Sequence, residues 1–153
     1  MDFNNIILLF NAFLFFIIAY IDARKLKIHN ISIIILILFG IFSNLILGRA
    51  GIDFFYYFLI SAFLIFFGFF FFIIGIWGAG DAKLVTVSVL FVELNNVALM
   101  IMASFIFSAL FGLFYIFCKN GFSLKGILSF YRASKIPFAP GVFLAMVTTN
   151  FMY

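Results

Sequence analysis

Two aspartates in this chain stand where an ionisable group is costly. Asp81 lies in Gly78-Ala79-Gly80-Asp81, after a phenylalanine-rich apolar run and just ahead of Leu84-Val85-Thr86-Val87. Asp22 ends the first apolar run in a matching way. Carboxylates at membrane boundaries mark candidate functional sites, because the bilayer disfavours them unless they do something. If two such groups share one site, they can perform aspartyl proteolysis. One takes a proton from water and the other donates a proton to the scissile carbonyl oxygen. Like charges at short range cannot both ionise, which sets up that division of roles.

Neighbouring residues suit this chemistry. Gly78 and Gly80 permit positive φ and close approach of another backbone, and a peptide is cut while its extended main chain lies against the site. The plainer reading of both glycines is a tight turn between two helices. Lys83 either holds a peptide carbonyl or tunes the pair, against the reading of a basic anchor that snorkels to water. Asn30 is placed to N-cap the second apolar segment. Pro137 and Pro140 open the last segment, where a missing N–H is tolerated, and would shape an entrance beside the aspartates. His29 has no second His, Cys or acid at metal-ligand spacing, so neither a metal site nor a cofactor is expected. No Gly-x-Ser-x-Gly elbow occurs, and the single Cys118 excludes an internal disulfide.

The elements that position these residues follow from composition. The chain has 153 residues, 68% of them hydrophobic and 9% charged. Soluble domains average about 25% charged residues, so this is an integral membrane protein whose first partner is the lipid bilayer. Its net charge of +4 is scattered through short loops, which argues against nucleic acid. Phenylalanine, at 28 residues, reads as lipid-facing filler.

Apolar runs and polar breaks give six segments: Phe3–Ile21, Ile31–Leu47, Phe54–Ile76, Leu84–Val92, Val97–Phe117 and Pro137–Met152. The fourth is short, so its helix is expected to start near Asp81 and run to about Asn95. Backbone groups in hydrocarbon must be satisfied internally, which makes the fold an all-α polytopic membrane bundle of about six transmembrane helices in one domain, 1–153. The first run lacks a basic leader and reads as a retained span.

With the N-terminus outside, Arg24, Lys25, Lys27, Lys83, Lys119, Lys125, Arg132 and Lys135 all fall inside, and only Arg49 of the 9 basic residues falls outside. Asp22 and Asp81 then share the cytoplasmic face, while Asp2, Asp53 and Glu93 lie opposite. Asp81 sits at a helix N-terminus and Asp22 at a helix C-terminus. The macrodipoles therefore point to Asp81 as the ionised base and Asp22 as the protonated acid. Between Cys118 and Ile136, Phe122, Leu124, Ile127, Leu128 and Tyr131 alternate with Lys125, Arg132 and Lys135. That pattern suits an interfacial helix on anionic headgroups, or else a docking strip for substrate.

Three motifs in order carry a resemblance: Asp22-x-Arg24-Lys25 through Ile28-x-Asn30, Gly78-x-Gly80-Asp81-x-Lys83-Leu84, and Ile136-Pro137-Phe138-Ala139-Pro140. The chain resembles the prepilin peptidases, membrane aspartyl proteases of the GxGD type. The resemblance implies that Asp22 and Asp81 are the catalytic pair. It also implies cleavage of a short basic leader from type IV pilin-like or Flp-type precursors, at the cytoplasmic face of the inner membrane, in the service of pilus biogenesis and protein secretion. Larger members add a cytoplasmic insertion with paired cysteines linked to N-methylation. This chain lacks it and is similar to the compact, peptidase-only branch of Tad/Flp-type systems. His29 stands where the family has proline.

Two rival functions use the same acids differently. A small proton-coupled transporter would employ them as a relay, although a relay favours acids near the midplane. An assembly subunit would use them only to pin helices together.

Overall fold

The computed structural model describes residues 3–49, 51–74, 77–120 and 137–151. Those residues form six α-helices: α1 (Phe3–Lys25), α2 (Asn30–Ile46), α3 (Ile52–Ile73), α4 (Ala79–Ser88), α5 (Val97–Asn120) and α6 (Ala139–Phe151). Short 3-10 turns cover Val89–Phe91 and Leu94–Asn96. No strand occurs among the described residues. The 121–136 segment, which holds the expected interfacial helix, lies outside them.

Three stretches are long and apolar enough to cross a membrane: Asn5–Lys25, Ile52–Ile73 and Leu94–Tyr115. α2, with 17 residues, and α6, with 13, fall short of the roughly 20 residues of a full span. The bundle is therefore all-helical as its composition demands, with six helices among the described residues, three of them long apolar spans and two of them shorter apolar helices. Its outer surface is apolar, as a lipid-facing surface must be. Phe58, Phe66 and Phe114 are each about two-thirds exposed, and only Tyr57 and Gly68 of α3 are buried. Most phenylalanine is lipid-facing filler, but Phe15 and Phe91 are core residues that meet edge to face, 5.0 Å between centroids.

The centre belongs to α4. Six of its 10 residues, Ala82 and Leu84 to Ser88, are buried, and it packs against α2, α3 and α6. Gly68 of α3 lets it approach closely, since a Cβ there would stand 2.5 Å from the Ala82 Cβ. Around α4 the core closes with Leu36, Met100, Val142 and Met146, all fully buried.

α4 is shorter than the helix expected to run from Asp81 to Asn95. It ends at Ser88, about 15 Å along, and passes into the 3-10 turns. A break inside a membrane bundle exposes carbonyls that need donors. Three different helices supply them to three consecutive residues. Asn44 Nδ2 of α2 donates to Leu90 O at 2.6 Å, Asn150 Nδ2 of α6 to Phe91 O at 3.1 Å, and the Tyr57 hydroxyl of α3 to Val92 O at 2.8 Å. Apolar composition concealed the break, because the turn residues Val89, Leu90 and Phe91 are as hydrophobic as a helix interior.

Two other boundaries differ from expectation. α1 runs one turn past Ile21, so Asp22 is a helical residue. α6 begins at Ala139, leaving Pro137 and Phe138 ahead of it. The basic Arg24, Lys25, Lys27 and Lys83 gather at the bundle end formed by the close of α1 and the starts of α2 and α4. At the other end Arg49 and Glu93 form an ion pair of 3.1 Å.

Candidate functional site

Asp22 occupies the last turn of α1 and is 4% exposed. Its Oδ2 accepts two backbone hydrogen bonds, from Phe138 N at 2.9 Å and Ala139 N at 3.0 Å. These are orphan donors at the start of α6, the natural place for an anionic oxygen. Pro140 follows without an N–H, and Pro137 precedes and is buried. The two prolines thus flank the pair of N–H groups that hold Asp22. α5 fixes this helix start from behind. The Ser108 hydroxyl donates to Phe138 O at 3.1 Å, and Gly141 packs so tightly on the Ser108 backbone that no Cβ fits between them.

Asp81 is the third residue of α4. Its Oδ2 accepts the N–H of Gly78, the N-cap, at 3.2 Å. This is half of a capping box, with the carboxylate bonding back to the cap and no cap side chain to reciprocate. Gly78 has an ordinary extended backbone, φ −75° and ψ 144°. Its lack of a side chain is what the site uses, because a Cβ would come within 2.8 Å of Asp81 Oδ2. Gly80 serves similarly: a Cβ there would stand 3.1 Å from that of Ile28, so the loop after α1 can lie against α4. The positive φ expected of these glycines is not used at either position.

An aromatic cluster joins the supports of the two aspartates. Trp77, directly before Gly78, stacks on Phe105 of α5, with centroids 5.1 Å apart and planes at 7°. It also meets Phe71 of α3 at 5.5 Å and Phe138, edge to face, at 5.7 Å. The residue that donates to Asp22 therefore touches the residue that leads into the Asp81 loop. Nothing in the sequence gave Trp77 or Ser108 a part in the site, and Phe138 stood out only within the Ile136–Pro140 motif. The one available signal was a lone tryptophan beside the glycine motif.

Asn30 does not cap α2. The N-cap is His29, with no side-chain bond, and Asn30 is the first helical residue. Its Oδ1 instead accepts from Lys83 Nζ at 3.1 Å, which clasps the start of α2 to α4. Just before that loop Leu26 takes φ 50° and returns its N–H to Asp22 O at 2.8 Å. A left-handed leucine costs about 1 kcal/mol, so the turn that follows Asp22 is held against a local preference. Among the described residues no group of three or more His, Cys, Asp or Glu side chains is arranged to hold a metal ion.

A family model now bears on this geometry. The model described as the type IV leader peptidase family matches residues 9–116. The chain belongs to that family. Its members are leader peptidase-like proteases, and with three apolar spans this one is a membrane protein. The matched stretch contains Asp22, Asn30 and the Gly78–Lys83 motif, while α6 and both prolines lie beyond it. No curated protein and no solved structure matches the chain.

Asp22 sits at the negative end of α1 and at the positive end of α6 together. Helix dipoles alone therefore no longer separate the protonation roles of Asp22 and Asp81.

Proposed function

We propose that this protein is an aspartic-type membrane endopeptidase in which Asp22 and Asp81 act as the catalytic pair. The observation that carries the reading is the mounting of Asp22. A carboxylate 4% exposed is aimed by two backbone N–H groups, and its anchor residue packs on the tryptophan that leads into the Asp81 loop. Fixed carboxylates on rigid helix ends suit a two-carboxylate mechanism, in which misplacement by about 1 Å is costly.

In the proposed reaction, one ionised carboxylate removes a proton from a water molecule. The resulting oxygen attacks the scissile carbonyl carbon, while the other carboxyl gives its proton to the carbonyl oxygen. Collapse of the tetrahedral species breaks the C–N bond, and the amine leaves with a proton returned by the pair. Gly78, Gly80, Asn30, Lys83 and Pro137 shape the site rather than react. The substrate is a type IV pilin-like or Flp-type precursor that loses its leader at the cytoplasmic face of the inner membrane, which this chain crosses several times. The carrier alternative asks for acids at mid-membrane depth, whereas Asp22 lies in the last turn of α1 and Asp81 in the first turn of α4.

Co-expression of a pilin-like precursor with the wild type, Asp22→Asn or Asp81→Asn, followed by leader loss on a gel, tests the proposal. Wild type processes the precursor and neither variant does. Full processing by either variant would sink the pair.

A further inference from the structure

We propose that a groove at the α2–α4 seam binds an anionic phospholipid, with its phosphate between Lys27 and Lys83 and an acyl chain along Ile34, Ile37 and Ile65. Two adjoining cavities carry this. The first, about 430 Å³, is lined by the loop after α1 and the start of α4, including Lys27, His29, Asn30, Gly80 and Lys83. The second, about 270 Å³, continues between α2, α3 and α4 and is walled by Ile33, Ile34, Ile37 and Ile65. Asn30 and Lys83 line both, so a polar mouth opens into an apolar trough.

The trough faces outward. Ile34 and Ile65 are each 56% exposed, while Ile33 forms its buried floor. An acyl chain can therefore enter sideways from the bilayer. Charge selects the headgroup. Among the described residues no acid lines either cavity. Asp22 is turned to α6, Asp81 caps Gly78, and Glu93 pairs with Arg49 at the far end. At the mouth the ammonium of Lys83 donates to the neutral amide of Asn30. Basic pockets between membrane helices collect anionic headgroups for this reason. Gly80, Asn30 and Lys83 also shape the proposed peptidase site, so the lipid groove adjoins that site.

Lipid retention by the whole purified chain is the test. Native mass spectrometry compares dioleoyl phosphatidylglycerol with dioleoyl phosphatidylcholine. Two lysines predict a roughly 30-fold preference for phosphatidylglycerol, or about 2 kcal/mol. Lys27→Gln combined with Lys83→Gln abolishes it, and Lys25→Gln, which lines neither cavity, keeps it. Equal retention of the two lipids, or an equal loss with Lys25→Gln, overturns the site. Glycerol phosphate is the arm for a soluble anion. No binding is expected, and binding as tight as the lipid's overturns the lipid assignment.

Should the double lysine variant misfold, Ile65→Trp in a Trp77→Phe background reads the trough instead. Acyl-brominated phosphatidylglycerol quenches that indole more strongly than brominated phosphatidylcholine does. Leu99→Trp on α5, away from the groove, is quenched equally by both. Equal quenching by the two lipids at position 65 overturns the acyl-chain placement.

Discussion

Tyr57→Phe removes a single oxygen and tests why α4 can stop inside the bundle. The Tyr57 hydroxyl bonds to Val92 O at 2.8 Å, with Tyr57 1% exposed and Val92 fully buried. Without it, a carbonyl in the protein core loses this donor, and no water reaches it. An unsatisfied buried acceptor costs about 1–3 kcal/mol, whereas hydrogen bonds between membrane helices average about 0.6 and reach about 1.7 kcal/mol. The site is enclosed by protein rather than lipid, so the upper part of the second range applies, about 1.5 kcal/mol.

Asn44→Leu removes the donor to Leu90 O and costs about 1 kcal/mol. Part of its loss is offset, because Asn44 Oδ1 is buried with no partner among the described residues and disappears with it. Because Leu90 and Val92 share one turn, the double variant should depart from additivity by about 0.5 kcal/mol or more. Reversible unfolding in mixed detergent micelles measures these values. Changes below about 0.3 kcal/mol for both single variants would refute the idea that side-chain donors sustain the broken helix.

Further outcomes follow from the same contacts. Gly141→Ala forces α6 off Ser108 and should destabilise by about 1–3 kcal/mol, with a marked loss of leader processing because the two N–H donors to Asp22 move with α6. Thermal unfolding and the processing gel together check both effects. Lys83→Ala and Asn30→Ala should show a coupling energy of about 0.5–1 kcal/mol in a double-mutant cycle, the scale of one partly solvated hydrogen bond. Arg49→Ala breaks an ion pair whose Glu93 side chain is 63% exposed, so it should cost under about 1 kcal/mol and leave processing unchanged.

The legible part of the molecule was its helical outline. Apolar runs marked the six helices among the described residues, the short fourth one with the wrong end, and the rarity of charge in them drew notice to Asp22 and Asp81. What stayed hidden depends on contacts between distant residues. Asp22 receives its donors from Phe138 and Ala139, more than a hundred residues later, and a backbone N–H carries no mark in the sequence. Asn44, Tyr57 and Asn150 look like stray polar residues in apolar helices until the turn at Leu90 to Val92 meets them. Asn30 was read as a cap because its type fits a helix start. Lys83 brought a stronger use for its oxygen, and His29 was left as an N-cap without a side-chain bond.

The central claim is that Asp22 and Asp81 form one catalytic unit. Its most direct measurement is the cleavage rate of a purified precursor by the reconstituted wild type, Asp22→Asn, Asp81→Asn and the double variant. Groups that act together lose most of their effect when either is removed. Each single variant should therefore fall by at least about 10²–10⁴-fold, and the double variant should fall no further. A single variant that keeps wild-type rate, or two modest losses that multiply in the double variant, would contradict a shared site.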